Sequence, residues 1–210
     1  MSDSGTPRFH DPARLAVLLS GSGRTLDNLL GQIGRGMLPA TIEVVIASRE
    51  CPGARKARDA GIETHVHKGP LDADWLDAIC DEHQIDLVVL AGYLRLVPIT
   101  ERLRGRVVNI HPALLPDFGG KGMHGDAVHR AVIEAAKRGE VHESGCTVHF
   151  ADEQYDTGSM IVQLRCPVHP DDTPEELAAR VFALECRAYP EALNLLIERN
   201  SAPAGADGNA

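Results

Sequence analysis

Basic charge, aromatic side chains, paired cysteines and long apolar runs are all scarce in this chain of 210 residues. Acidic residues outnumber basic ones by 30 to 21, for a formal net charge of −9 and a pI near 5.5. That excludes a protein whose main work is gripping nucleic acid, which needs a basic face to displace counterions. An anionic ligand must therefore be met by a local site. Aromatics make up 4% of the residues, so the core has to be built from Leu, Val, Ile and Ala. The five cysteines, Cys51, Cys80, Cys146, Cys166 and Cys186, contain no CxxC pair and are odd in number. They exclude a disulfide framework and predict buried thiols in a reducing compartment. No run is long enough to span a bilayer, and residues 1–12 lack the apolar core of a secretion signal. The expected location is the cytoplasm, with no membrane partner and no nucleic acid partner.

What is present is an ordinary globular composition, 43% apolar and 24% charged, in a length that suits one domain. The reading places that domain at 13–199, between a polar segment at 1–12 and a small polar tail at 200–210, both expected to be disordered. Apolar runs alternate with helical periodicity. Arg14 to Ser20 reads as a strand buried on both faces, followed by a glycine turn and a helix from about Thr25 to Arg35. Strands at Ile42–Ser48, Ile62–His67 and Ile85–Ala91 alternate with helices at Gly53–Ala60 and Leu71–His83. A short helix near Ile99–Leu103 precedes a fifth strand at Val107–Ile110, and a helix follows at Ala127–Lys137. Gly145–Ala151 and Met160–Cys166 alternate as an antiparallel pair. Thr173 with Glu176 forms a capping box for a last long helix reaching about Glu198. The expected fold is α/β: a mainly parallel twisted sheet of about seven strands, helices on both faces, and C-terminal strands partly antiparallel.

Two stretches could carry chemistry. Ser20 to Thr25, SGSGRT, turns from a strand into a helix N-terminus, where free backbone N–H groups and the helix dipole favour a phosphate. It is neither GxGxxG nor GxxxxGK[ST], so neither a dinucleotide fold nor an NTPase is supported, and a tight turn without ligand is the alternative. Asn109 to Pro116, NIHPALLP, places an amide and an imidazole two residues apart at a strand end, hence on one side. A strand-ending turn whose Asn caps backbone is the plain alternative. Joined to the turn Gln154 to Gly158, the pair becomes a candidate oxyanion site, with a carboxylate orienting His111 and raising its affinity for a proton. No Ser or Cys sits in a nucleophile elbow, so direct attack by an amine on a carried acyl group is favoured over a covalent enzyme. His65 and His67 share a strand face, and His124 and His129 flank the Asp117–Gly125 glycine segment. Without Cys or carboxylates at ligand spacing they predict no metal.

LAVLLSGSGRTLDNLL, DLVVLAGYLRLV, VVNIHPALLP, GCTVHF with QYDTG, and LECRAYPEAL together resemble the folate-dependent phosphoribosylglycinamide formyltransferases, from about Arg14 to Leu196. That resemblance implies transfer of the formyl group of 10-formyltetrahydrofolate, a co-substrate, to the amine of 5'-phosphoribosylglycinamide in purine synthesis, with small-molecule substrates and a monomeric or homodimeric protein. It implies Asn109, His111 and Asp156 as the catalytic trio. It puts the substrate phosphate on Gly21, Ser22, Gly23, Arg24 and Thr25, and the ribose on Glu185. The folate would lie against Leu94, Arg95, Leu96 and Val97, closed by Ala151, Asp152, Gln154 and Tyr155, with Lys68 as the cation for its tail. Thr25 stands where the family usually has Asn. A tRNA formyltransferase would need a further domain and a basic surface, and a formyltetrahydrofolate hydrolase would carry a second His in place of Pro112. A sugar-nucleotide formyltransferase and a non-catalytic folate or nucleotide binding module are the remaining alternatives.

Overall fold

The structure, a computed structural model, describes residues 8–201. In chain order the elements are β1 (Ala13–Leu19), α1 (Arg24–Gly34), β2 (Ala40–Ala47), α2 (Pro52–Asp59), β3 (Glu63–Val66), α3 (Ala73–Glu82), β4 (Leu87–Leu90), β5 (Val107–His111), α4 (Asp126–Lys137), β6 (Glu143–Phe150), β7 (Met160–Pro167) and α5 (Pro174–Ser201). The sheet has seven strands in the order β3-β2-β1-β4-β5-β6-β7. The first four pairings are parallel, and β5·β6 and β6·β7 are antiparallel. This is the expected α/β class. Strand order reverses between β1 and β4, which opens a crevice at the carboxyl ends of these strands.

Alternation along β1 divides the core. Leu15, Val17 and Leu19 face a cluster with Leu26 and Leu29 of α1, Ala54 and Ala57 of α2, Val128 and Val132 of α4, and much of α5. Ala16 and Leu18 face the other cluster, built on Leu76, Ile79 and Cys80 of α3 and on Tyr93, Val97 and Leu103. Both faces of the sheet are therefore buried, which is why these strands read as continuous apolar runs.

Two contacts fix α5 against the sheet. Tyr189 is fully buried, and its hydroxyl lies 3.0 Å from the Leu90 carbonyl and 2.8 Å from that of Val108. The next residue, Pro190, lacks the N–H that would meet the carbonyl of Cys186 four residues back. The Asn28 amide of α1 donates to that carbonyl instead, at 3.1 Å.

Three sequence expectations change. Ile99–Leu103 is not a helix: the Leu103 and Arg104 N–H groups bond back to Thr100, and the chain then leaves through Gly105 at φ +70°, which ends the turn before it can propagate. The disorder expected over 1–12 does not extend to Phe9 and His10. Phe9 is buried in the larger core, and His10 bonds through both its backbone N–H and its ring to the buried Asp86 carboxylate. The tail expected at 200–210 does not include Asn200 and Ser201, which form the last residues of α5, with Asn200 Nδ2 donating to the Leu196 carbonyl at 2.8 Å. The remainders of both expectations, 1–7 and 202–210, lie outside the described residues. The capping box is present: Thr173 Oγ1 accepts from the Glu176 N–H, and the Glu176 carboxylate accepts from the Thr173 N–H.

Candidate active site

β1 ends at the glycine turn. Gly23 is the N-cap of α1 at φ +76°, and a Cβ there would stand 2.7 Å from the Cα of Gly53, so only glycine allows α1 and α2 to start this close together. The Gly53 N–H donates to the Gly21 carbonyl at 3.0 Å. No side chain caps α1, which leaves its first N–H groups for a ligand. Below the turn, the Ser48 hydroxyl donates to Ser20 Oγ at 2.7 Å, and Ser20 Oγ accepts from the Leu94 N–H at 3.2 Å. These bonds tie the ends of β1 and β2 to the segment following β4.

At the end of β5, Asn109 Nδ2 lies 3.1 Å from Nε2 of His149 and 3.4 Å from Oδ1 of Asp156. His149 Nδ1 lies 2.8 Å from the Phe150 carbonyl, which can only accept, so Nδ1 carries the proton and Nε2 receives the Asn109 amide. The same reasoning puts the His111 proton on Nε2, 2.8 Å from the Phe118 carbonyl, with His111 Nδ1 facing Asp156 Oδ2 at 3.5 Å. Asp156 itself sits at φ +59° and accepts from the Gly120 N–H at 2.9 Å. Burial opposes its ionisation, but the groups around it, the Gly120 N–H among them, outweigh burial and hold the carboxyl below the ordinary range.

Asp156 raises the proton affinity of His111, as expected, but it does not set the net direction. Burial is the largest influence on His111 and lowers its pKa, and Asp156 only partly offsets it. The imidazole is therefore neutral at neutral pH and positioned to take a proton, with an ionised carboxylate beside it to stabilise the cation once formed.

A cavity of about 640 Å³ opens above the sheet, within the range of small-molecule sites. Gly21, Ser22, Gly23, Arg24, Thr25, Leu94, Asn109, His111, Tyr155, Asp156 and Glu185 line it. A second space of about 40 Å³ is lined by Arg95, Leu96, Val97, Ala151, Asp152 and Gln154, and shares Asn109, Tyr155 and Asp156 with the first. Asn109 and Asp156 thus stand where the two meet. Lys68 is exposed and belongs to neither lining. Arg95 is engaged in structure, donating to the Gly69 carbonyl at 2.6 Å. Burial pushes the Glu185 carboxyl up to about 7, with Arg24 pulling the other way.

Several cavity residues were not foreseen. Phe182 lies under the Arg24 guanidinium, 3.8 Å from the ring centroid to Cζ. Arg49 donates to the Ser20 carbonyl at 2.9 Å and turns a second cation toward the glycine turn. His124 and His129 come from the glycine segment and α4. His149, which sequence reasoning did not single out, holds Asn109; the signal was cross-strand register, since Asn109 and His149 are direct partners in the antiparallel β5·β6 pair, and sequence periodicity does not specify register between strands.

Comparison with known proteins agrees with this geometry. The formyl transferase family model matches residues 13–193. Over 196 residues the chain is 40% identical to the chloroplastic phosphoribosylglycinamide formyltransferase of Vigna unguiculata, covering 88% of this chain and 61% of that protein. It thus spans about three fifths of that relative. It is 35% identical to the phosphoribosylglycinamide formyltransferase of Haemophilus influenzae, with 84% of each chain covered. Among solved structures, glycinamide ribonucleotide transformylase 1 from Symbiobacterium toebii superposes with a TM-score of 0.76 at 36% identity, covering 91% of both chains. The chain therefore belongs to the formyl transferase family.

Proposed function

We propose that this chain transfers the formyl group of 10-formyltetrahydrofolate to the primary amine of 5'-phosphoribosylglycinamide. The observation that carries this reading is the position of Asn109 and Asp156, at the junction of a large cavity floored by the glycine turn and a small one walled by Arg95, Leu96 and Val97 on one side and Ala151, Asp152 and Gln154 on the other. The names of the relatives in two kingdoms point the same way.

In the proposed arrangement the ribonucleotide phosphate lies on the N–H groups from Gly21 to Thr25, with Arg24 and Arg49 as cations, and Glu185 accepts from the ribose hydroxyls. The amine attacks the formyl carbon to give a tetrahedral oxyanion. Asn109 has one amide hydrogen fixed by His149 and the other on the long 3.4 Å contact to Asp156; the second turns to the oxyanion as it forms. Neutral His111 takes the proton released by the attacking amine, and Asp156 stabilises the resulting imidazolium. Collapse of the intermediate breaks the bond from the formyl carbon to the folate nitrogen, which leaves with the proton returned by His111, so that the neutral imidazole is restored.

The small space, at about 40 Å³, is well under the roughly 300 Å³ of a typical ligand pocket. The five free cysteines support operation in a reducing compartment.

A spectroscopic assay of 10-formyltetrahydrofolate consumption tests the reading, run with glycinamide ribonucleotide, with a sugar-nucleotide amine and without acceptor. Turnover only with the glycinamide ribonucleotide is the expected result. Turnover without acceptor would identify a hydrolase, and ligand binding without turnover a non-catalytic module.

A further inference from the structure

The sequence pairs His65 with His67 across a strand face, but the fold pairs His65 with other groups. Glu63 and His65 stand two residues apart on edge strand β3, and His83, the C-cap of α3, comes to meet them. One ligand atom from each of the three lies within 4.8 Å of the other two. His65 Nε2 is 2.8 Å from Glu63 Oε1, and His83 Nε2 is 3.6 Å from Glu63 Oε2. An ordinary ion pair accounts for the first contact. The second is too long for a hydrogen bond, and it leaves His83 Nε2 buried with no hydrogen-bond partner, a costly state for a ring nitrogen. His67 is engaged elsewhere, its Nε2 lying 3.1 Å from the Pro70 carbonyl.

We propose that Glu63, His65 and His83 form a binding site for one divalent metal ion of the zinc class, separate from the active site. Two imidazoles and a carboxylate are a borderline, nitrogen-rich donor set that suits Zn²⁺ better than Mg²⁺ or Ca²⁺. Bonds of about 2.0–2.2 Å in tetrahedral array place ligand atoms roughly 3.3 Å apart, so the His65–Glu63 pair opens from 2.8 Å and His83 draws in as the cluster closes around an ion. The exposed carboxylate of Glu63 leaves the fourth position to water. Arg14, beside the cluster, is already bound: its Nε donates to the His83 carbonyl at 2.8 Å and its guanidinium pairs with Glu43. An ion here would join a short edge strand to the end of α3, stabilising the folded state by linkage.

The molecule contains its own reporter. Trp75, the sole tryptophan, has its ring 5.8 Å from that of His65 and 4.8 Å from that of His67. Chelator-treated full-length protein is titrated with Zn²⁺ while Trp75 emission is followed, retained zinc is counted after desalting, and Co²⁺ is substituted for its visible absorption. The expected result is one retained equivalent, a saturable change in emission, tetrahedral Co²⁺ bands and a raised melting temperature. Glu63→Gln and His83→Asn should each weaken binding ten-fold or more while leaving turnover unchanged, and His65→Asn provides a third variant should either fail to fold. No retained zinc, or equal affinity in wild type and the variants, would overturn the site.

Discussion

The Asn109 carboxamide is held by His149, its direct cross-strand partner, at 3.1 Å. That bond leaves one of the two amide hydrogens toward Asp156 and the cavity, and it fixes which face of the amide the reacting group meets.

Removing either residue separates their roles. Asn109→Ala should lower turnover about 10²-fold or more, the usual loss for one oxyanion donor, with a smaller effect on KM. His149→Ala leaves the donor in place and removes its orientation, so a smaller loss of kcat with nearly constant KM is expected. Steady-state kinetics decide the matter, and wild-type turnover in Asn109→Ala would remove it from the mechanism.

His111 favours its neutral form in the folded state, since burial dominates the adjacent carboxylate. Its folded pKa lies below the ordinary 6.5, so its contribution to stability is present above pH 6.5 and is lost as the pH falls below it. Its NMR titration midpoint should be below 6.5, and His111→Gln should flatten the dependence of urea stability between pH 8 and 5. A midpoint above 6.5 would contradict the assignment.

Glu185 behaves in the opposite sense. A carboxyl raised from 4.5 to about 7 favours folding most below pH 4.5, and that contribution is lost as the pH rises toward 7. The full shift corresponds to at most about 3 kcal/mol, and to less where water reaches the cavity wall. Glu185→Gln should therefore melt higher than wild type at pH 8, match it near pH 4, and bind the ribonucleotide more weakly. In the wild type, KM for the ribonucleotide should rise as the pH falls below 7. Equal melting temperatures at pH 8 would show that the carboxylate is already compensated.

Asn28 and Pro190 are coupled through a third residue. Asn28→Ala leaves the Cys186 carbonyl without its donor, at a cost of about 1–2 kcal/mol. In a Pro190→Ala background the restored backbone N–H can meet that carbonyl, and the cost of Asn28→Ala should largely vanish. Denaturant unfolding of the four proteins gives the coupling energy directly, and additivity within error would count against the account.

The alternation of apolar runs with 3.6-residue periodicity determined the α/β class, because each strand buried on both faces and each amphipathic helix is a local pattern. The capping box at Thr173 was legible because the backbone groups at that helix end are met by a residue three positions away, and the turn at Ser20–Thr25 because glycine marks the left-handed N-cap of α1. Ile99–Leu103 was misread because the conformation of one glycine, Gly105, outweighed a short apolar pattern. What joins residues far apart in the chain was decided by tertiary structure. The β5·β6 register brings His149 to Asn109, the fold brings Asp156 to His111, and the end of α3 brings His83 to Glu63. The protonation of His111 and Glu185 also belongs there, since both depend on how far water is excluded around each group. Composition and periodicity carry no record of that exclusion, because it is a property of the assembled walls of the cavity.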